Sequence, residues 1–214
     1  MRNFPRFYRP LTHLFAAASL LAGGFFGHVA AADSLASNGG FEEDAQGWKV
    51  FVPEESKEKN CRFDVVSEKP HSGANCARFQ SDDFARFSIG SGLIPVQAGE
   101  RYRVTVWLRS DPSAEVRPKD PGFVVRLNLR QGSSDAEGGH LFIGPGNKVT
   151  RSTPPDPELP LPTTWTKIEA VVEIPAGVDA MGPGLFSWWA KGALYADDLS
   201  IEKVDSSTPA TPLQ

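Results

Sequence analysis

Two pairs of carboxylates, Glu42-Glu43 and Asp197-Asp198, lie near opposite ends of the 214-residue chain. The second pair interrupts residues 194–204, where Leu199 and Ile201 alternate with Asp198, Ser200 and Glu202 at the period of a half-buried strand. Aspartate is depleted in strands. A carboxylate carried toward a core is costly unless a positive partner meets it. The first pair ends the stretch Ser37-Asn38-Gly39-Gly40-Phe41-Glu42-Glu43. A strand that closes a fold must pair with something early in the chain, so these two ends are expected to meet around one cation. Support for reaction chemistry is thinner. Beyond residue 32 the only histidines are His71 and His140, with no nucleophile motif beside either. The sequence has no G-x-S-x-G, zinc-ligand spacing or phosphate loop. It also lacks the Glu-x-Asp-x-x-Glu run by which some β-sandwich glycosidases place two carboxylates across a sugar.

The elements that must position these groups read as strands. Past residue 32, no window of a dozen residues keeps a 3.6-residue period free of proline and glycine. Short alternating runs recur instead at 62–67, 74–80, 85–89, 101–109, 122–131, 166–174, 184–190 and 194–204. Turn residues separate them, a spacing that predicts an all-β sandwich or jelly roll. In 101–109, Tyr102, Val104, Val106 and Leu108 form one face, and Arg103, Thr105, Trp107 and Arg109 the other. In 122–131, Phe123, Val125, Leu127 and Leu129 face in, and Arg126, Asn128 and Arg130 face out. Consecutive strands would then display Trp, Arg, Asn and Thr on one outer surface. Residues 138–164 read as a long irregular rim, and 205–214 as a disordered tail. There are no internal repeats.

Residues 1–32 read as a secretory signal peptide. Arg2, Arg6 and Arg9 precede an apolar run over 14–26, and Val29-Ala30-Ala31-Ala32 offers small residues for cleavage. The run is too short and too broken by Gly23 and Gly24 for a membrane span. Removing those three arginines takes the formal charge from −4 to −7, which argues against nucleic acid as a partner. The rest suits a single domain, expected to be a monomer. Cys61 and Cys76 are the only cysteines. If they lie opposite each other in a hairpin, an exported chain would join them in a disulfide contributing about 3 kcal/mol.

Taken in order, Asn38-Gly39-Gly40-Phe41-Glu42, Gly47-Trp48, His71-Ser72-Gly73, Gly99-Glu100-Arg101-Tyr102, Trp107, Trp165 and Tyr195-Ala196-Asp197-Asp198-Leu199 resemble carbohydrate-binding modules of families 4 and 9. Those modules are galactose-binding-domain-like jelly rolls. The resemblance implies a structural calcium held by the Gly40 carbonyl, the Glu42 carboxylate, carbonyls of the turn from Glu68 to His71, and Asp197 or its neighbour Asp198. Calcium takes six to eight oxygens and accepts such a mixture. The resemblance also implies a glycan groove on a sheet face, with Trp107, Arg126, Asn128 and Arg130 as candidates and Trp188 or Trp189 as an added platform. The expected function is secreted, non-catalytic binding of a polysaccharide or oligosaccharide. An adhesive domain without a free glycan ligand is the alternative, and a jelly-roll enzyme is a more remote one.

Overall fold

A computed structural model describes residues 34–156 and 159–214. The expected signal peptide lies outside the described residues. The strands are β1 (Lys49–Phe51), β2 (Arg62–Val66), β3 (Cys76–Gly90), β4 (Ile94–Pro95), β5 (Arg101–Ser110), β6 (Glu115–Val116), β7 (Gly122–Gln131), β8 (Ser134–Asp135), β9 (Leu141–Gly144), β10 (Lys148–Arg151), β11 (Thr166–Glu173) and β12 (Ala180–Val204). All named pairings are antiparallel. Among the described residues no helix is long and apolar enough to cross a membrane.

Two long strands organise everything else. The first half of β12 lies between β3 and β7, and its second half lies between β3 and β5. One sheet therefore runs β1, late β3, early β12, β7, β9, β10, and the other runs β2, early β3, late β12, β5, β11. Register shifts between Trp188 and Gly192 mark where β12 passes from one sheet to the other. Bulges bend strands in this way. The predicted pairs of strands at 74–80 and 85–89, and at 184–190 and 194–204, are thus each one continuous strand. The predicted irregular rim likewise contains β9 and β10, which form a hairpin around Pro145-Gly146-Asn147.

The in-facing residues follow the alternation expected of them. Val104, Val106 and Leu108 of β5 and Val125, Leu127 and Leu129 of β7 are at most 1% exposed and share one core. Phe41, Phe79, Phe87 and Phe123 fill its middle. Consecutive β5 and β7 stand in different sheets, however, so their outer residues do not share a surface. The chain crosses over between them by way of β6, which pairs with β12 at Ala190.

The closing residues are ordered rather than loose. The Thr211 amide donates to the Val171 carbonyl at 2.8 Å, and the Gln214 amide donates to the Val149 carbonyl at 2.9 Å. The Val171 amide donates in turn to Thr211 Oγ1. The tail therefore covers the open edge of β11 and reaches β10 in the other sheet. An edge strand exposes unpaired amides and carbonyls, and those of β11 supply the partners that composition alone did not suggest. The expected disulfide is also absent. Cys61 and Cys76 are free thiols, because Cys76 pairs with Val66 while Cys61 lies beyond the pair Arg62 and Gln80. They occupy opposite ends of one ladder, about 16 Å apart at strand rise. A disulfide tolerates about 7 Å between Cα atoms.

Candidate functional sites

Two regions gather polar groups. The first is the seam where the start of the described chain meets its last strand. The Leu35 amide donates to the Ile201 carbonyl, and the Leu199 amide donates to the Gly39 carbonyl at 2.9 Å. Asn38 shapes this segment: its side chain donates to the carbonyls of Asp44 and Gln46 and accepts from the Glu43 amide. Trp48 then folds back to donate to the Asn38 carbonyl and packs on Phe41.

Three carboxylates converge on the turn 71–75 at this seam. Asp197 is fully buried and accepts from the amides of His71, Ser72 and Asp198. Burial, and then the neighbouring charge of Asp198, push its carboxyl up to about 6 despite those amides. Asp198 has a left-handed backbone, φ 49°, at the register shift between Asp197 and Ser200. Its carboxylate meets His71 Nδ1 at 2.6 Å, accepts from Ser72 Oγ at 2.9 Å and faces Gly40. Glu42 accepts from the amides of Ala74 and Asn75. The structure therefore brings Gly40, Glu42, His71 and Asp197 together. Glu68 stands beside them, but its carbonyl accepts from Arg109 and its carboxylate from Tyr195.

Trp107 stands at this seam. It pairs across the sheet with Asp197, and its ring stacks on His71 at 3.7 Å between centroids. Trp165 stands edge-on to the same histidine and donates to the Lys69 carbonyl.

The second region is the outer face of the other sheet. Register places Arg126, Gly184, Gly90 and Lys49 in one cross-strand row. Val124, Phe186, Ser88 and Phe51 form the next row. Gly122, Trp188 and Arg86 form a third. Residues opposite one another share a face, so the two glycines leave a shallow trough between Arg126 and Lys49, with the Phe186 ring leaning over its Gly184 end. Beside that row, Phe51, Pro53, Arg86, Phe87, Ser88, Arg126, Phe186 and Trp188 line a depression of about 110 Å³. Arg126 lies over the Phe186 ring at 4.2 Å, and Arg86 lies over Trp188 at 5.0 Å. Asn128 is fixed by donation to the Gly182 carbonyl, and Arg130 pairs with Asp135.

Arg126, Asn128, Arg130 and Trp188 thus share the face expected of them, and Trp107 does not. Trp189 breaks the rule that neighbours on a strand point oppositely. It is the extra residue of the bulge, φ 52°, and is only partly buried, with Arg117 over its ring at 4.0 Å. Sequence reasoning missed Phe186, Arg86, Lys49 and Phe51. Phe186 and Arg86 were legible as partners in the alternation, but β1 is only three residues long and gives no periodic signal.

No family model and no curated protein matches the sequence. Solved structures do match by shape. The chain is similar to the enzymatically active domain of bacteriophage CBA120 tailspike protein 4, with TM-score 0.58 and 10% identity over 80% of this chain and 21% of that one. It therefore spans about a fifth of the tailspike chain. It is also similar to the CBM22-1 xylan-binding domain of Paenibacillus barcinonensis Xyn10C, with TM-score 0.52 and 17% identity over 82% of this chain and 97% of that one. A family 4 module matches with TM-score 0.51 and 12% identity, over 78% of this chain and 98% of that one. The fold is the jelly roll of carbohydrate-binding modules. Because the matching modules span families 4 and 22, the likeness fixes a fold and not a numbered family.

Proposed function

We propose that this protein is exported and binds a polysaccharide non-catalytically on the trough face. The observation that carries this reading is the juxtaposition of the Trp188 and Phe186 rings with Arg126 and Asn128 on one sheet face. Sugars present apolar C–H faces to aromatic rings and hydroxyls to planar donors, and such sites combine apolar walls with a few placed polar groups. The strands on this face, β1, late β3, early β12, β7, β8, β9 and β10, carry a single carboxylate, Asp135, and it pairs with Arg130. They provide no carboxylate pair for glycoside hydrolysis. The matching xylan-binding and family 4 modules lend the same reading support by fold.

In this reading calcium ties the seam. Three carboxylates face a single histidine there, an excess of negative charge that a divalent cation would balance. Among the described residues no three His, Cys, Asp or Glu side chains group closely enough to hold a metal by themselves, so carbonyl oxygens must complete the set. Glu42, Asp198 and the Gly40 carbonyl are the ligands we assign. Asp197, occupied by three amides, is the residue that positions the turn. The ion's part would be structural.

Retention of the purified protein in native gels containing polysaccharides tests the binding reading. Retention on at least one polymer, lost in Trp188→Ala and kept in Trp107→Ala, is the expected result. Equal loss in both variants, or release of oligosaccharides from the polymer, would count against it.

A further inference from the structure

We infer, on the reading that the trough binds carbohydrate, that its ligand is an acidic polysaccharide whose carboxylate or sulfate groups pair with Arg126 and Lys49. The whole chain carries a formal charge of −4, yet the trough face has the opposite sign. By register its outer face carries Lys49, Arg86, Arg126, Arg130 and Lys148 against one strand carboxylate, Asp135 of β8, which pairs with Arg130; Arg151, opposite the buried Leu141, lies on the other side of the sheet. Such local inversion in an acidic protein concentrates anions at one surface while the remainder repels them.

The partners of these cations separate the structural from the available. Arg86 is paired with Glu55, Arg130 with Asp135, and Arg151 donates to the Glu137 carbonyl. Lys148 is buried. Arg126 makes no hydrogen bond or ion pair among the described residues, and its buried Nε has no partner. Lys49 is exposed and makes neither. These two stand at the ends of one cross-strand row with Gly90 and Gly184 between them. Three strand spacings put their Cα atoms about 14 Å apart.

A guanidinium held partly out of water and ion-paired with no carboxylate is costly: burial is the first cause pushing the pKa of Arg126 down, and only the charge of Asp135, itself paired with Arg130, opposes it. Its charge also reaches His140, whose pKa is lowered first by burial and then by Arg126. A bound anion would relieve that cost. A planar guanidinium takes carboxylate or sulfate oxygens in paired, charge-assisted hydrogen bonds. The stack on Phe186 holds the fork in place for such a ligand. Neutral sugars would leave both cations unpaired. On the outer face of the other sheet Arg78, Arg101 and Lys167 pair with Asp64, Glu68, Glu173 and Glu169, so carboxylates accompany the cations there.

Affinity electrophoresis or calorimetry tests this with four polymers: a homopolyuronate, the same polymer with its carboxyls reduced to alcohols, a sulfated glucan and an unmodified glucan. The expected result is at least tenfold tighter binding to the polyuronate or the sulfated glucan than to its uncharged counterpart, weakening as salt is raised. Whichever of the two binds tighter identifies the anion. Arg126→Gln and Lys49→Gln should each remove about tenfold of that preference, while Lys167→Gln on the other sheet should not. Lys49 is exposed, so its variant stays informative should Arg126→Gln fold poorly. Binding to the uncharged polymers that equals the charged ones and is lost in Trp188→Ala would overturn this inference and leave the trough standing. Binding to none of the polymers would overturn both. Equal effects of Lys167→Gln and Lys49→Gln would show diffuse attraction and overturn it as well.

Discussion

Gly39 shows how little room the seam allows. A Cβ placed there would sit 1.9 Å from the backbone carbonyl oxygen of Leu199, so the two segments touch with no side chain between them. Gly39→Ala would force the backbones apart and strain the Leu199 amide's bond to the Gly39 carbonyl. We expect a loss of about 2–3 kcal/mol, or roughly 5–10 °C in Tm for a domain of this size. Thermal denaturation measures it, and an unchanged Tm would mean that this segment is not docked on β12. The segment containing Gly39 was legible as a partner of the closing strand because each carries a pair of carboxylates, Glu42-Glu43 and Asp197-Asp198. The roles of Asp197 and Asp198 were not legible. A one-residue register change swaps faces, and only the bulge at Asp198 determines that Asp197 goes inward while Asp198 turns toward Gly40.

At the scale of elements, the hairpin of β2 and β3 corrects the disulfide. The cysteines flank a plausible turn in sequence, but the turn occupies 67–75 and Cys76 is its first partner after it, facing Val66. The Cys76 thiol is buried, and burial pushes it up to about 11, so at neutral pH it is a packed apolar group and not a nucleophile. Reducing agent should leave Tm unchanged. Unfolding without reductant should expose two titratable thiols per chain. Finding none, with a Tm that falls on reduction, would restore the bridge. The same scale explains the misplaced Trp107. Strict alternation gave the outward face of β5 and of β7 correctly, but periodicity does not say which sheet a strand joins. The intervening crossover at β6 is what separates Trp107 from Arg126. Strand continuity was hidden for a related reason: the bulge residues 188–192 interrupt the period in the middle of β12.

At the scale of the whole molecule, the calcium reading predicts a stability increment set by free ion. Protein stripped with chelator should gain about 2.7 kcal/mol when calcium reaches a hundred times its dissociation constant, a rise of roughly 5–10 °C. Glu42→Gln and Asp198→Asn should diminish the increment, whereas Glu43→Gln, an exposed neighbour outside the seam, should preserve it. A Tm that ignores calcium in the parent protein would remove the ion from the account. The sandwich itself was readable from its alternating runs and punctuating glycines and prolines. The trough was only half readable, because it is assembled from four strands whose order in space follows neither length nor sequence. That spatial order has a bearing on how the molecule comes apart. β3 and β12 each supply rungs to both layers, so peeling one layer away severs ladders in the other. Amide protons on either layer should therefore exchange through the same rare opening, and the trough face would be lost or retained together with the seam.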